Sequence, residues 1–167
     1  MEIPSFSYDP LWYPNSEATH YITNDTSSFS KKTSYHGNDV VKLGNSSGMK
    51  IININSAHYT LPHTDIVIKF NQLVHVPNII KSLLSMSKFV KDNDVFFEFH
   101  TNHCLVKSQA TKQILLQGKL RGSIYVFSPL HLHISSSTNN TIVSFVNSAI
   151  SYGINDLVML MLLLFVM

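Results

Sequence analysis

The sequence predicts a mainly β protein: a small, mostly antiparallel barrel with one short helix. From Trp12 to about Phe127, short β-like runs are broken by Gly, Asn, Asp and Pro, as in barrels built from many short strands. One turn signal is strong: Val40-Val41-Lys42-Leu43 meets Gly44-Asn45-Ser46-Ser47-Gly48, and a second apolar run follows. One stretch has clear helical spacing, with Leu83, Leu84, Met86, Phe89 and Val90 on one face.

In chain order, residues 1–11 carry prolines at positions 4 and 10 and read as a linker. The domain is expected over residues 12–127. Val40–Leu43 and Met49–Ile54 are the arms of a hairpin. Ile66–Phe70 and Leu73–Val76 are separate strands, the second ended by Pro77. The helix is expected over Ser82–Val90, capped by Ser82 and broken by Asp92-Asn93-Asp94. Val95–Phe99, Cys104–Val106, Ile114–Leu116 and Ser123–Phe127 complete the strands, with Gly118 and Gly122 punctuating the last turn. Residues 128–150 are a polar linker rich in Ser, Thr and Asn, expected to be disordered, and residues 151–167 are an apolar tail.

Composition narrows the function. Hydrophobic residues make up 44% and charged residues 13%, which is not the composition of a disordered chain. A net charge of +2 with scattered lysines forms no basic patch, so no nucleic-acid partner is expected. The single cysteine, Cys104, excludes an internal disulfide and fits a reducing, cytoplasmic setting. The uncharged run Leu157–Met167 is eleven residues long, and a spanning helix needs about 20, so no membrane partner is expected either.

The informative stretch is WYPNSEATHYITND, Trp12 to Asp25. It resembles the segment that opens the protease-like domain of Ty1/copia-type plant retrotransposon Gag-Pol polyproteins, where the pattern is close to W-x-x-D-S-G-A-T-x-H-x-x-x-D. Further blocks follow in the same order. They are Tyr35-x-Gly37-x-Asp39-x-Val41, then Val76-Pro77-Asn78-Ile79 leading to Ser82-Leu83-Leu84-Ser85-Met86-Ser87-Lys88-Phe89. After these come Asn93-x-Val95-Phe96-Phe97-Glu98-Phe99-His100, Cys104–Lys107 and Gly122-x-x-Tyr125-Val126-Phe127. Each block is weak alone; the ordered set is specific. The resemblance implies a retropepsin-like barrel of roughly six to eight strands.

It also implies where catalysis would reside. In retroviral-type aspartic proteases two Asp-Ser-Gly turns meet across a homodimer, and two carboxylates sharing one proton activate water. Here that turn reads Asn15-Ser16-Glu17. An amide cannot take the proton, and Glu17 puts bulk and charge where glycine allows close approach. The expectation is a degenerate turn with no catalytic residue, hence a pseudoprotease. An active endopeptidase processing a Gag-Pol polyprotein is the alternative. Asp9, Asp25 and Asp39 are substitute carboxylates by type only; Asp25 is expected to cap a turn. Remaining partners would be a second copy of the chain or a peptide segment of the polyprotein.

Nothing else carries chemistry. Ser16 and His20 lie outside any G-x-S-x-G setting, and Thr19 and His20 read as ordinary turn and strand residues. Among nine histidines, the clusters are His100-x-x-His103-Cys104 and His131-x-His133, and neither has zinc-ligand spacing. No phosphate-binding glycine motif occurs, so no metal or cofactor is expected. In the resembled family the linker leads to L-W-H-x-R-L-G-H. Read one base out of frame from Ser151, the codons of this tail permit L-W-H-K-R-[LF]-G-H, so the tail is expected to be a frameshifted pre-integrase region.

Overall fold

A computed structural model describes residues 9–25, 35–42 and 48–135. The turn residues 44–47, most of the polar linker and the apolar tail lie outside the described residues. Chain order is β1 (Asp9–Asn15), β2 (Tyr21–Thr23), β3 (Val40–Lys42), β4 (Gly48–Lys50), β5 (Asn53–Thr60), β6 (Val67–His75), β7 (Lys81–Ser85), α1 (Met86–Asn93), β8 (Val95–Phe99), β9 (His103–Ser108), β10 (Ile114–Arg121), β11 (Ile124–Phe127) and β12 (His133–Ser135). The fold is mainly β with one short helix, as expected. No helix among the described residues is long and apolar enough to cross a membrane.

Ten strands form one sheet in the order β12-β5-β6-β2-β7-β1-β11-β10-β9-β8, and β3–β4 is a separate hairpin. Two features differ from the expected antiparallel barrel. β1 pairs with β7, and β2 with β6, in parallel. The sheet also does not close, because its end strands β12 and β8 do not pair. Where β6 extends beyond its pairing with β2, the Asn93 side chain stands in for a strand. Its Oδ1 accepts the Lys69 N–H at 2.7 Å, and its Nδ2 donates to the Lys69 carbonyl at 3.0 Å.

Strands β6, β2, β7 and β1 are covered on both faces, which is why each buries adjacent apolar residues, Leu73-Val74, Tyr21-Ile22, Leu83-Leu84 and Trp12-Tyr13, rather than only alternate ones. Trp12, Tyr21, Phe70, Leu84, Phe89 and Phe127 pack in one core. Their neighbours Tyr13, Ile22, Leu83 and Val74 pack in the other, joined by Val41 and Met49 of the β3–β4 hairpin. Rings meet in tilted contacts: Trp12–Phe70 centroids are 5.5 Å apart and Tyr21–Phe70 centroids 5.1 Å.

This double burial corrects the helix assignment. Ser82, Leu83 and Leu84 are strand residues, paired with Trp12, Tyr13 and Pro14. Their apolar run imitates a helix face because both sides of β7 are covered. The helix starts one turn later, capped by Ser85, runs past Val90 through Asp92 and Asn93, and stops at Asp94 in the left-handed region, the last residue of the expected Asp-Asn-Asp break. Ile66–Phe70 and Leu73–Val76 merge into β6 through a bulge: Asn55 faces Leu73, Ala57 faces Phe70, and Gln72 has φ 57°. The hairpin's second arm stops at Lys50, and Asn53 starts a new strand. The expected linker from residue 128 is partly structured: β12 pairs with β5 and Leu132 is buried.

Candidate functional site

The Asn15-Ser16-Glu17 turn sits where β1 ends, in parallel register with the end of β7, Asn15 opposite Ser85. β1 stops there because the Asn15 side chain takes over from strand pairing. Its Oδ1 accepts the N–H groups of Glu17 at 2.7 Å and Ala18 at 3.0 Å, which bends the chain out of the sheet. Ser85 clamps the far side: its hydroxyl donates to the Ala18 carbonyl at 2.6 Å and accepts the Lys88 N–H at 3.4 Å. One buried hydroxyl thus holds the turn and caps α1.

Ser16 and Glu17 are exposed. Glu17 is not among the residues with positive φ, so this backbone does not itself demand a glycine at position 17. Around the turn, Thr19 Oγ1 lies 2.9 Å from His20 Nδ1. Burial lowers the His20 pKa and nearby Lys88 lowers it further, which favours the neutral imidazole. Lys88 pairs with Asp92 at 3.7 Å, and Asp92 accepts the Tyr21 hydroxyl at 3.0 Å. Toward the start of β7, Thr23 Oγ1 and Ser82 Oγ are 2.8 Å apart and buried, and Thr23 Oγ1 accepts the Asp25 N–H at 3.0 Å.

The other carboxylates are placed elsewhere. Asp9 accepts Leu11 N–H at 3.0 Å and the Tyr13 hydroxyl at 2.6 Å. Burial and that bond push the Tyr13 phenol up to about 12. Asp39 accepts the Tyr35 hydroxyl ahead of β3. Asp92 and Asp94 end α1, and Glu98 on β8 is bound by Lys107 at 2.9 Å and by His100 at 2.6 Å. Among the described residues no hydrogen bond joins two carboxylates, so no proton-sharing dyad forms among them.

The histidine clusters do not assemble a metal centre. His100 and His103 stack at 4.4 Å on the β8–β9 hairpin, while Cys104 is fully buried and its thiol is pushed up by burial. His133 lies on β12 with its ring 5.5 Å from that of His58 on β5, and His131 is exposed outside the strand. Among the described residues no group of three His, Cys, Asp or Glu could hold a metal ion. Sequence reasoning overlooked Ser85 and the Thr23–Ser82 pair. The available signal was the hydroxyls flanking Leu83-Leu84, first read as helix residues.

Comparison with known proteins fits this geometry. The family described as Pol polyprotein, beta-barrel domain, matches residues 12–95. The retrovirus-related Pol polyprotein from transposon RE2 of Arabidopsis thaliana is 35% identical over 114 residues, which cover 68% of this chain and 8% of the relative. The corresponding polyprotein from transposon RE1 of the same plant is 31% identical over 135 residues, 78% of this chain and 9% of the relative. The chain therefore spans less than a tenth of the length of these relatives. No solved structure matches.

Proposed function

Because the chain belongs to the Pol polyprotein β-barrel domain family, we propose that this retrotransposon Pol fragment carries an aspartic-protease-like site of copia type that is catalytically silent. The observation that carries the reading is Asn15. It occupies the head of the turn, its carbonyl oxygen is committed to two backbone N–H groups, and its amide offers neither a base for water nor an acid for the leaving amine. Glu17, the nearest carboxylate in sequence, is exposed beyond the turn rather than at its head. What the site retains is architecture: a held loop beside a capped helix, suited to binding an extended segment or a second copy rather than cutting a peptide bond.

The geometry also supports a route back to an active endopeptidase. No hydrogen bond involves Asn15 Nδ2 among the described residues, so an aspartate would keep both N–H bonds and lose none. The test is peptide cleavage by the purified chain from about pH 3 to 7, where a carboxylate dyad shares a proton. The chain should show no pepstatin-sensitive turnover, and Asn15→Asp alone should add little. Asn15→Asp with Glu17→Gly is the smallest change expected to recover it. Pepstatin-sensitive cleavage by the unaltered chain would overturn the proposal.

A further inference from the structure

Among the described residues, the β8 edge is an unused strand surface. Gln109 N–H donates to the Asp94 carbonyl and His100 N–H to the His103 carbonyl, both at 2.9 Å. Antiparallel pairing alternates, so the even positions of β8 turn their peptide groups toward β9 and Val95, Phe97 and Phe99 turn theirs outward. Among the described residues β8 ends the sheet, with β9 as its one strand neighbour. The Val95 carbonyl is capped by Gln109 Nε2 at 3.4 Å. No side chain does the same for Phe97 or Phe99 among the described residues. The strand carries three phenylalanines, no proline and no lysine, and Phe99 is 47% exposed. Such an edge invites another strand.

We propose that β8 pairs with β8 of a second copy, antiparallel and centred on Phe97. Charge selects the occupant and the register. Centring on Phe96 would set Asp94 opposite Glu98 of the other copy, and centring on Glu98 would set two Glu98 carboxylates face to face; like charges directly opposed are unfavourable. Centring on Phe97 sets Asp94 opposite His100, Val95 opposite Phe99 and Phe96 opposite Glu98. Lys112 Nζ lies 5.0 Å from the centre of the Phe96 ring, so Glu98 of the second copy, held by its own Lys107 and His100, meets a further ammonium there. The two-fold axis repeats each contact, and the outward peptide groups of Phe97 and Phe99 gain partners. The pairing does not rest on the state of the Asn15 turn.

The test is sedimentation equilibrium of the whole chain, with amide exchange at low and high protein concentration. The expected result is a reversible dimer in which the Phe97 and Phe99 amides exchange more slowly as concentration rises. Phe99→Pro should weaken association at least about tenfold and leave the circular dichroism unchanged, because β9 does not use the Phe99 N–H. Phe99→Lys, which keeps that N–H and puts a charge on the edge, should weaken it too and decides the matter if the proline variant does not fold. A chain that stays monomeric, or one whose association is indifferent to both substitutions, overturns the proposal. Association through the apolar C-terminal run or the Asn15 turn would give the second result.

Discussion

Ser85→Ala tests whether one hydroxyl ties the Asn15 turn to the helix. Ser85 is fully buried, donates to Ala18 O and accepts from Lys88 N. Removing an N-cap hydroxyl costs about 0.5–2 kcal/mol, and the 3.4 Å separation places this one near the lower figure. The Ala18 carbonyl, part-buried and bonded at 2.6 Å, would lose its donor at a further cost of about 1–2 kcal/mol. The sum is about 2 kcal/mol. In urea the unfolding midpoint should fall by about 1 M at unchanged slope. On heating, Tm should fall by about 8 °C at roughly 4 °C per kcal/mol. Ser87→Ala is the control: Ser87 is exposed and its hydroxyl lies 3.5 Å from that of Ser85, so the change should stay within about 0.5 kcal/mol. If Ser85→Ala unfolds at the same midpoint as the parent, the hydroxyl does not hold the turn and the clamp argument is wrong.

Two further expectations follow from the same packing. Gly118→Ala would place a Cβ 2.6 Å from Cys104 Sγ and 2.9 Å from the Val126 carbonyl; the backbone neighbour cannot swing aside, so urea unfolding should show a loss of about 1–3 kcal/mol. The Tyr13 phenol is raised from 10.0 to about 12, mainly by burial and then by its bond to Asp9. A raised folded-state pKa means that the folded chain holds a proton the unfolded chain releases, so stability is full below pH 10 and declines as pH rises toward 12. Tyr13→Phe should therefore lose less stability than the parent between pH 9 and 11 in urea titrations. The residual decline belongs to Tyr21, whose phenol is raised by burial and by Asp92, and to Tyr35, whose phenol is raised by its hydrogen bond to Asp39.

The sequence by itself determined a good deal. It located the short strands at Val95–Phe99 and Cys104–Val106, the β3–β4 hairpin and the helix stop at Asp94, because each depends on neighbours within a few residues. Turn chemistry and alternation are local properties and can be read in one dimension. The identity of residue 15 is also local: no packing can make an amide a carboxylate.

Tertiary structure decided what depends on two-sided burial and on distant partners. Leu83 and Leu84 imitate a helix face until β1 and β2 are seen on either side of β7, in register with Trp12, Tyr13 and Ile22. Ile66–Phe70 and Leu73–Val76 are one strand because Gln72 accepts a left-handed φ in a bulge opposite β5. His133 entered the sheet because β5 offered an edge 75 residues earlier, at His58. The open edge at β8 and the Asn93 amide serving Lys69 have no signature in the chain, since hydrogen-bond parity and an unfilled strand position exist only once the sheet has formed.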